Sequence, residues 1–265
     1  MKLAKFLFFT CLTFLILNCE DNNPKQLKKQ LKKQLKKQNI TKNNQDEILV
    51  EKIMDTILID GIANEKTWKK SSWHPINQLW LGEQVDSSDF TGRYKLSWSK
   101  EALYVLAEIK DDFLVDKIKN PLERWWDDDC VEIFIDEDNS GGNHQFNHNA
   151  FAYHIGLNGD VVDLDAKDTP RLFNNHIDSK MTTGGSNTSV WEFKIYLFSD
   201  TYYLKGDQTA LNLFSNKKIG FAIAYCDNDK SELRENFFGS VIVDGDDKNR
   251  GWIDANIFGT LKLKN

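Results

Sequence analysis

At 265 residues, with 40% hydrophobic and 12% aromatic side chains, the chain carries enough apolar material for one large domain or two small ones. A net charge of −6 argues against a general affinity for nucleic acid or anionic lipid, because either polyanion would be repelled by the body of the protein. Basic character is concentrated in one stretch near the start.

In chain order, Lys2 and Lys5 precede an apolar run from Leu7 to Leu17. That run is too short to cross a hydrocarbon core of about 30 Å as a helix and has the form of an export signal. It ends in Leu15-Ile16-Leu17-Asn18-Cys19, which resembles the lipobox of bacterial lipoproteins. The resemblance implies a signal peptide over residues 1–18, a palmitate-bearing lipid on Cys19, and a mature protein anchored at the cell envelope. The expected membrane is the outer one, with the protein facing the periplasm or the exterior. Asn18 departs from the small residue usual before the cysteine, and an ordinary secretory signal is the alternative. Residues 19–45 contain QLKKQLKKQLKKQ, expected to be a solvated tether or a leucine-striped cationic helix lying on anionic headgroups. Cys130 and Cys226 remain, and a disulfide and two buried thiols are both open.

From residue 46 the pattern changes to short β-branched and aromatic runs of period two, separated by Gly, Asn and Asp. Strands are expected at Ile57–Ile59, Tyr94–Trp98, Leu103–Ile109, Val131–Ile135, Phe151–Ile155, Val161–Leu164, Trp191–Leu197, Ile219–Tyr225 and Leu261–Leu263, with a helical turn at Asn64–Trp68. Many strands without a long amphipathic helix predict an all-β fold. We expect a single jelly-roll-like β-sandwich over residues 46–265 with short helical turns.

Tryptophan marks the candidate site. Trp68, Trp73, Trp80, Trp98 and Trp191 lie in or beside strand patterns and are expected to pack in the core or at its edges. Trp125 and Trp126 instead sit in RWWDDDCVEIFIDED, and Trp252 sits in the polar loop DGDDKNRGWIDANIFG. A large aromatic in a polar loop is costly unless something covers it. A pyranose suits such a place, since its C–H faces stack on indole and its hydroxyl rim meets Asp, Glu, Asn and Arg.

Taken together, DGIANEKTW, WWDDDCVEIFIDED, VWEFKIYL, GFAIAYCDND and NRGWIDANIFGTLKL resemble, in that order, carbohydrate-binding module family 9, over Ile57 to Leu263. The resemblance implies a calcium-binding β-sandwich that holds polysaccharide or oligosaccharide ends between two tryptophans and does not cleave them. By position it assigns Trp126 and Trp252 as the walls, Glu132 as a carboxylate contact and Asn249 as an amide contact. Family members use an arginine on the strand after the acidic one, whereas QFNHNAFAYHI offers Tyr153, His154 or Asn149. Tyr153 is taken as the fifth sugar contact.

Three further readings follow from residue types. Asp136 and Asp138, in DEDNSGG, supply hard oxygen donors in a turn and are the candidate calcium ligands. Asp127, Asp128 and Asp129 with Glu132 are not expected to act as glycosidase carboxylates, because neighbouring strand residues face opposite sides and no partner across a cleft is identifiable. No catalytic residue is assigned. The rival to sugar binding is a haem-binding electron carrier using His144, His148, His154, His176 or Met181, and a glycoside hydrolase or its accessory is the third alternative.

Overall fold

The period-two runs pair into two sheets in the computed structural model, which describes residues 47–206 and 208–265. The expected signal peptide, Cys19 and the tether lie outside the described residues. The strands are β1 (Ile48–Glu51), β2 (His74–Ile76), β3 (Gln78–Leu81), β4 (Phe90–Trp98), β5 (Leu103–Asp111), β6 (Cys130–Asp136), β7 (Phe151–Gly156), β8 (Val161–Leu164), β9 (Pro170–Leu172), β10 (Ile177–Thr183), β11 (Thr188–Ile195), β12 (Lys218–Asp227), β13 (Asn236–Gly239) and β14 (Gly259–Lys264). The first sheet runs β1-β14-β12-β6-β7-β8-β9, with β13 bridging β12 to β3, and the second runs β10-β11-β5-β4-β2. This is the expected all-β sandwich. Among the described residues no helix is long and apolar enough to cross a membrane.

Alternation divides each strand between two environments. Val131, Ile133 and Ile135 of β6, Phe151, Tyr153 and Ile155 of β7, and Ile219, Phe221, Ile223 and Tyr225 of β12 enter the space between the sheets. There they meet Leu103, Val105, Ala107 and Ile109 of β5 and Trp191, Phe193 and Ile195 of β11. The opposite face of the first sheet carries Cys130, Phe134, Ala152, Ala222, Ala224 and Cys226, partly covered by Trp80, Phe237 and the chain from Val241 to Phe258. The candidate cavity lies on that outer face.

Behind the second sheet, the short helix α1 (Lys66–Lys70) sets Trp68 against Ile57, Ala102, Tyr104 and Leu106. Its indole Nε1 donates to Glu192 Oε1 at 2.9 Å, while Glu192 Oε2 accepts from the Gly61 amide at 2.9 Å, so this buried carboxylate is fully engaged. Trp98 and Trp191 are buried in the core, as expected of them. Ile57–Ile59 is a correction: no strand forms there, because Ile57 is fixed by its packing on Trp68 and the Leu58 amide bonds the Glu65 side chain at 3.2 Å.

Candidate functional site

The loop between β5 and β6 is held by its own aspartates. Asp128 Oδ2 accepts from the amides of Lys117 (2.9 Å) and Ile118 (2.7 Å), and Asp129 Oδ2 accepts from Val115 N at 2.6 Å. Asp129 Oδ1 receives the Asn228 amide at 2.9 Å, and Asp127 Oδ1 receives that of Arg234 at 3.1 Å. The three carboxylates thus staple the loop to itself and to the β12–β13 connection. What they present is Trp126, 38% exposed, with its ring edge-on to Trp125 at 4.7 Å and 80°.

A second loop comes from the far end of the chain. Gly251 rests on Phe134, where an added Cβ would lie 2.8 Å from the ring. Its carbonyl also lies 2.9 Å from His144 Nε2. That close seat delivers Trp252, again 38% exposed, and Asn249 to the same cavity. Between the loops, β6 contributes Glu132 and β7 contributes Ala152 and His154 from the outer face of the sheet. Arg234 enters from the β12–β13 connection.

The resulting cavity has a volume of about 770 Å³ and is lined by Trp125, Trp126, Glu132, Ala152, His154, Asp163, Arg234, Asn249 and Trp252, among others. Its floor is polar and buried. Glu132 and His154 are register partners, and Glu132 Oε2 lies 3.2 Å from His154 Nε2. Burial alone would push the imidazole down, but the Glu132 charge and hydrogen bond outweigh it and hold His154 above its ordinary value. Asp163 is pushed up to about 7 by burial, against amide bonds from Ala152 (2.9 Å) and Leu164 (2.7 Å). Indole rings therefore share this cavity with carboxylate, imidazole and guanidinium groups.

Comparison with known proteins agrees with this geometry. Residues 59–265 match the family described as carbohydrate family 9 binding domain-like. The chain belongs to that family.

Among curated relatives, the endo-1,4-β-xylanases A of Thermotoga neapolitana and Thermotoga maritima are 26% and 29% identical over 210 residues. The alignments take in 78% of this chain and 17% of each xylanase, so the chain spans a small part of the relatives it matches. Among solved structures, a family 9 module from Caldicellulosiruptor kristjanssonii in complex with cellotriose shares the fold, with a TM-score of 0.61 at 21% identity, covering 83% of this chain and 94% of that one. The same module in complex with glucose gives the same score and identity.

Against the family pattern, the structure makes one plain correction. Tyr153 does not reach the cavity, because alternation along β7 sends it between the sheets, where its hydroxyl lies 2.7 Å from His176 Nδ1. The β7 side chains that line the cavity are Ala152 and His154. An arginine is nevertheless present: Arg234, three residues C-terminal to Ser231 in the β12–β13 connection, which the strand-by-strand comparison of sequence passed over. Its position was legible only through the pairing of β12 with β13, since Cys226 and Phe237 are opposite and bring the connection over the cavity edge.

Asp136 and Asp138 are engaged within their turn: Asp136 Oδ2 accepts from Gly141 N at 2.7 Å and Asp138 Oδ1 from Ser140 N at 3.0 Å. A denser carboxylate cluster lies elsewhere, at the ends of β5 and β12. Asp89, Asp112 and Asp229 form one group and Asp111, Asp227 and Asp229 another, with one ligand oxygen of each within 4.8 Å of the others. Burial and then mutual repulsion push Asp227 up to about 8 and Asp229 to about 7, and burial pushes Asp111 up to about 6. Hard oxygen donors that resist shared negative charge fit a calcium ion.

The histidines named for haem are engaged separately. His144 bonds the Gly251 carbonyl, and burial lowers it to about 4. His148 stacks on Phe151 at 5.2 Å. His176 lies between the Tyr153 and Tyr202 hydroxyls at 2.7 and 3.1 Å. Met181 is on β10 opposite Trp191.

Proposed function

We propose that this domain binds carbohydrate without cleaving it, holding a pyranose against Trp126 and Trp252. In this reading Glu132 accepts hydroxyl protons, Asn249 meets the ring's edge, and Arg234 donates where an arginine on β7 is lacking. The observation that carries it is convergence: Trp126, Glu132, Asn249 and Trp252 come from separate stretches of chain and line one cavity of about 770 Å³, within the roughly 300–1,000 Å³ of small-ligand sites. Cellotriose and glucose, bound by the Caldicellulosiruptor module, define the first ligands to try. Calorimetric titration of those two and a wider glycan panel tests the proposal. Saturable binding that weakens in Trp126→Ala and Trp252→Ala supports it, and a wild-type protein that binds no glycan overturns it.

Two attachments complete the proposal. Calcium is held by the Asp111, Asp227 and Asp229 region, where it relieves carboxylate repulsion and braces the β5–β6 loop that carries Trp126. Lipidation at Cys19 tethers the domain to the cell envelope, putting the cavity near glycan on which separate hydrolases act. Labelled palmitate incorporated by wild type and absent from Cys19→Ala checks the anchor.

A further inference from the structure

Beneath the cavity, three strands of the first sheet bring unlike donors together. Glu132 (β6), His154 (β7) and Cys226 (β12) are all buried, and one ligand atom of each lies within 4.8 Å of the other two. Their placement follows from register: Glu132 is opposite His154 on one side and Ala224 on the other, and Cys226 is two residues along β12 on the same face. Glu132 and His154 line the cavity with Ala152, and Cys226 is buried beside them on the same face of the sheet.

From these three side chains we infer a binding site for one borderline divalent cation of the zinc type, distinct from the oxygen-only cluster proposed for calcium. Carboxylate, imidazole and thiolate are the donor types that zinc accepts, and three protein ligands leave a fourth position open to water or to a ligand oxygen from the cavity. With bond lengths of about 2.0 Å to nitrogen and 2.3 Å to sulfur, a tetrahedral zinc needs its donors roughly 3.3–3.8 Å apart. Glu132 and His154 already meet at 3.2 Å, and the Cys226 sulfur lies within 4.8 Å of both, so closing the site requires it to approach by about 1 Å at most.

The surrounding contacts have the character of an outer shell. His154 Nδ1 lies 3.3 Å from the Ala152 carbonyl, which directs Nε2 at Glu132 and toward Cys226. The Cys226 sulfur accepts from Arg234 Nη1 at 3.1 Å and from the Cys130 thiol, two donors that favour thiolate. Both cysteines are free, so the sulfur is available. The site uses Glu132, which the proposed sugar contact also uses, but it requires no sugar.

The test is cobalt titration of the full-length protein, stripped with chelator, kept reduced, and held in excess calcium so that oxygen-only sites are filled. Expected are one equivalent of cobalt, a thiolate-to-cobalt charge-transfer band, and displacement of that band by zinc. Cys226→Ser should abolish the band, and His154→Ala should weaken cobalt binding by about tenfold or more, while Cys130→Ser retains the band. Absence of the band in wild type, or its persistence in Cys226→Ser, overturns the site and leaves Glu132, His154, Cys226 and Arg234 as an ion-pair network only. The measurement contains no glycan, so its failure and a failure of sugar binding are separate results.

Discussion

Removing one wall of the slot should cost a predictable amount of affinity. Trp126 and Trp252 are each 38% exposed in the free protein, and a ligand covers at most what is exposed. Taking about 250 Å² for a whole tryptophan side chain, each wall offers about 95 Å². At about 25 cal/mol per Å², full coverage contributes a little over 2 kcal/mol, or about 30-fold or more in affinity. Trp252→Ala is the cleaner variant. Trp126→Ala also loses the edge-on contact with Trp125 and should lower stability by about 1 kcal/mol. Titration calorimetry on each folded variant reads affinity apart from that stability loss. Trp73→Ala is the control, since Trp73 lies under Arg93 at 4.2 Å in the second sheet and should leave affinity unchanged. If both wall variants bind within about twofold of wild type, less than 0.5 kcal/mol is at stake and the slot is refuted.

The other predictions concern the floor, the supports and the cation. Glu132→Gln should drop the His154 titration, followed by NMR, below about 6.5, because burial then outweighs the weaker pull of Cys226 that remains; an unchanged value would show that Glu132 is not what raises it. Since the folded-state value of His154 is raised, the stabilisation from this pair is present below the unfolded value and is lost as pH rises through the folded one. Gly251→Ala, with a Cβ 2.8 Å from Phe134, should cost about 1–3 kcal/mol in denaturant unfolding and weaken glycan binding through displacement of Trp252. Carboxyls raised to about 6, 8 and 7 at Asp111, Asp227 and Asp229 bind protons more tightly folded than unfolded, so chelator-treated protein should grow more stable from pH 8 toward pH 5. Calcium should therefore raise the melting temperature more at pH 8 than at pH 5, and a melting temperature indifferent to calcium at both would exclude the site.

How much of this was legible in the sequence depended on whether a residue's environment was set locally or by pairing. Val161–Leu164 emerges as β8 with the expected ends, and β4 and β5 form the expected hairpin, because alternation within one run fixes them. Strands β1, β2, β3, β9, β10 and β13 were not expected: they are short or carry exposed polar residues, and pairing makes them strands, with a neighbour in sequence for β9 and β10 and with the distant β14 for β1. Ile57–Ile59 looked like a strand because it is apolar, but the apolar demand comes from Trp68. Trp126 and Trp252, which line the cavity, were readable as aromatics out of place in polar loops. Tyr153 was misplaced for want of parity alone: Phe151 and Ile155 are core residues, and Tyr153 must share their side, which leaves Ala152 and His154 for the cavity.

That same parity explains how the floor departs from the family arrangement. Once β7 presents Ala152 and His154, it has no long cation to place across the cavity, and Glu132 takes the imidazole opposite it as partner. The guanidinium comes from outside the strand, since Arg234 hangs on a connection tied down by Asp127 and reaches the Cys226 sulfur. Nitrogen groups are therefore supplied to the cavity from two places, the His154 imidazole rigid in the sheet and the Arg234 guanidinium on a loop. The Asp127–Arg234 amide bond couples that loop to the segment bearing Trp126. A ligand that stacks on Trp126 and bonds Arg234 engages two parts of one stapled unit, whereas Trp252 and Asn249 move with the separate loop seated on Phe134. Under the proposed sugar binding, the gap between those two units sets which ring the cavity admits.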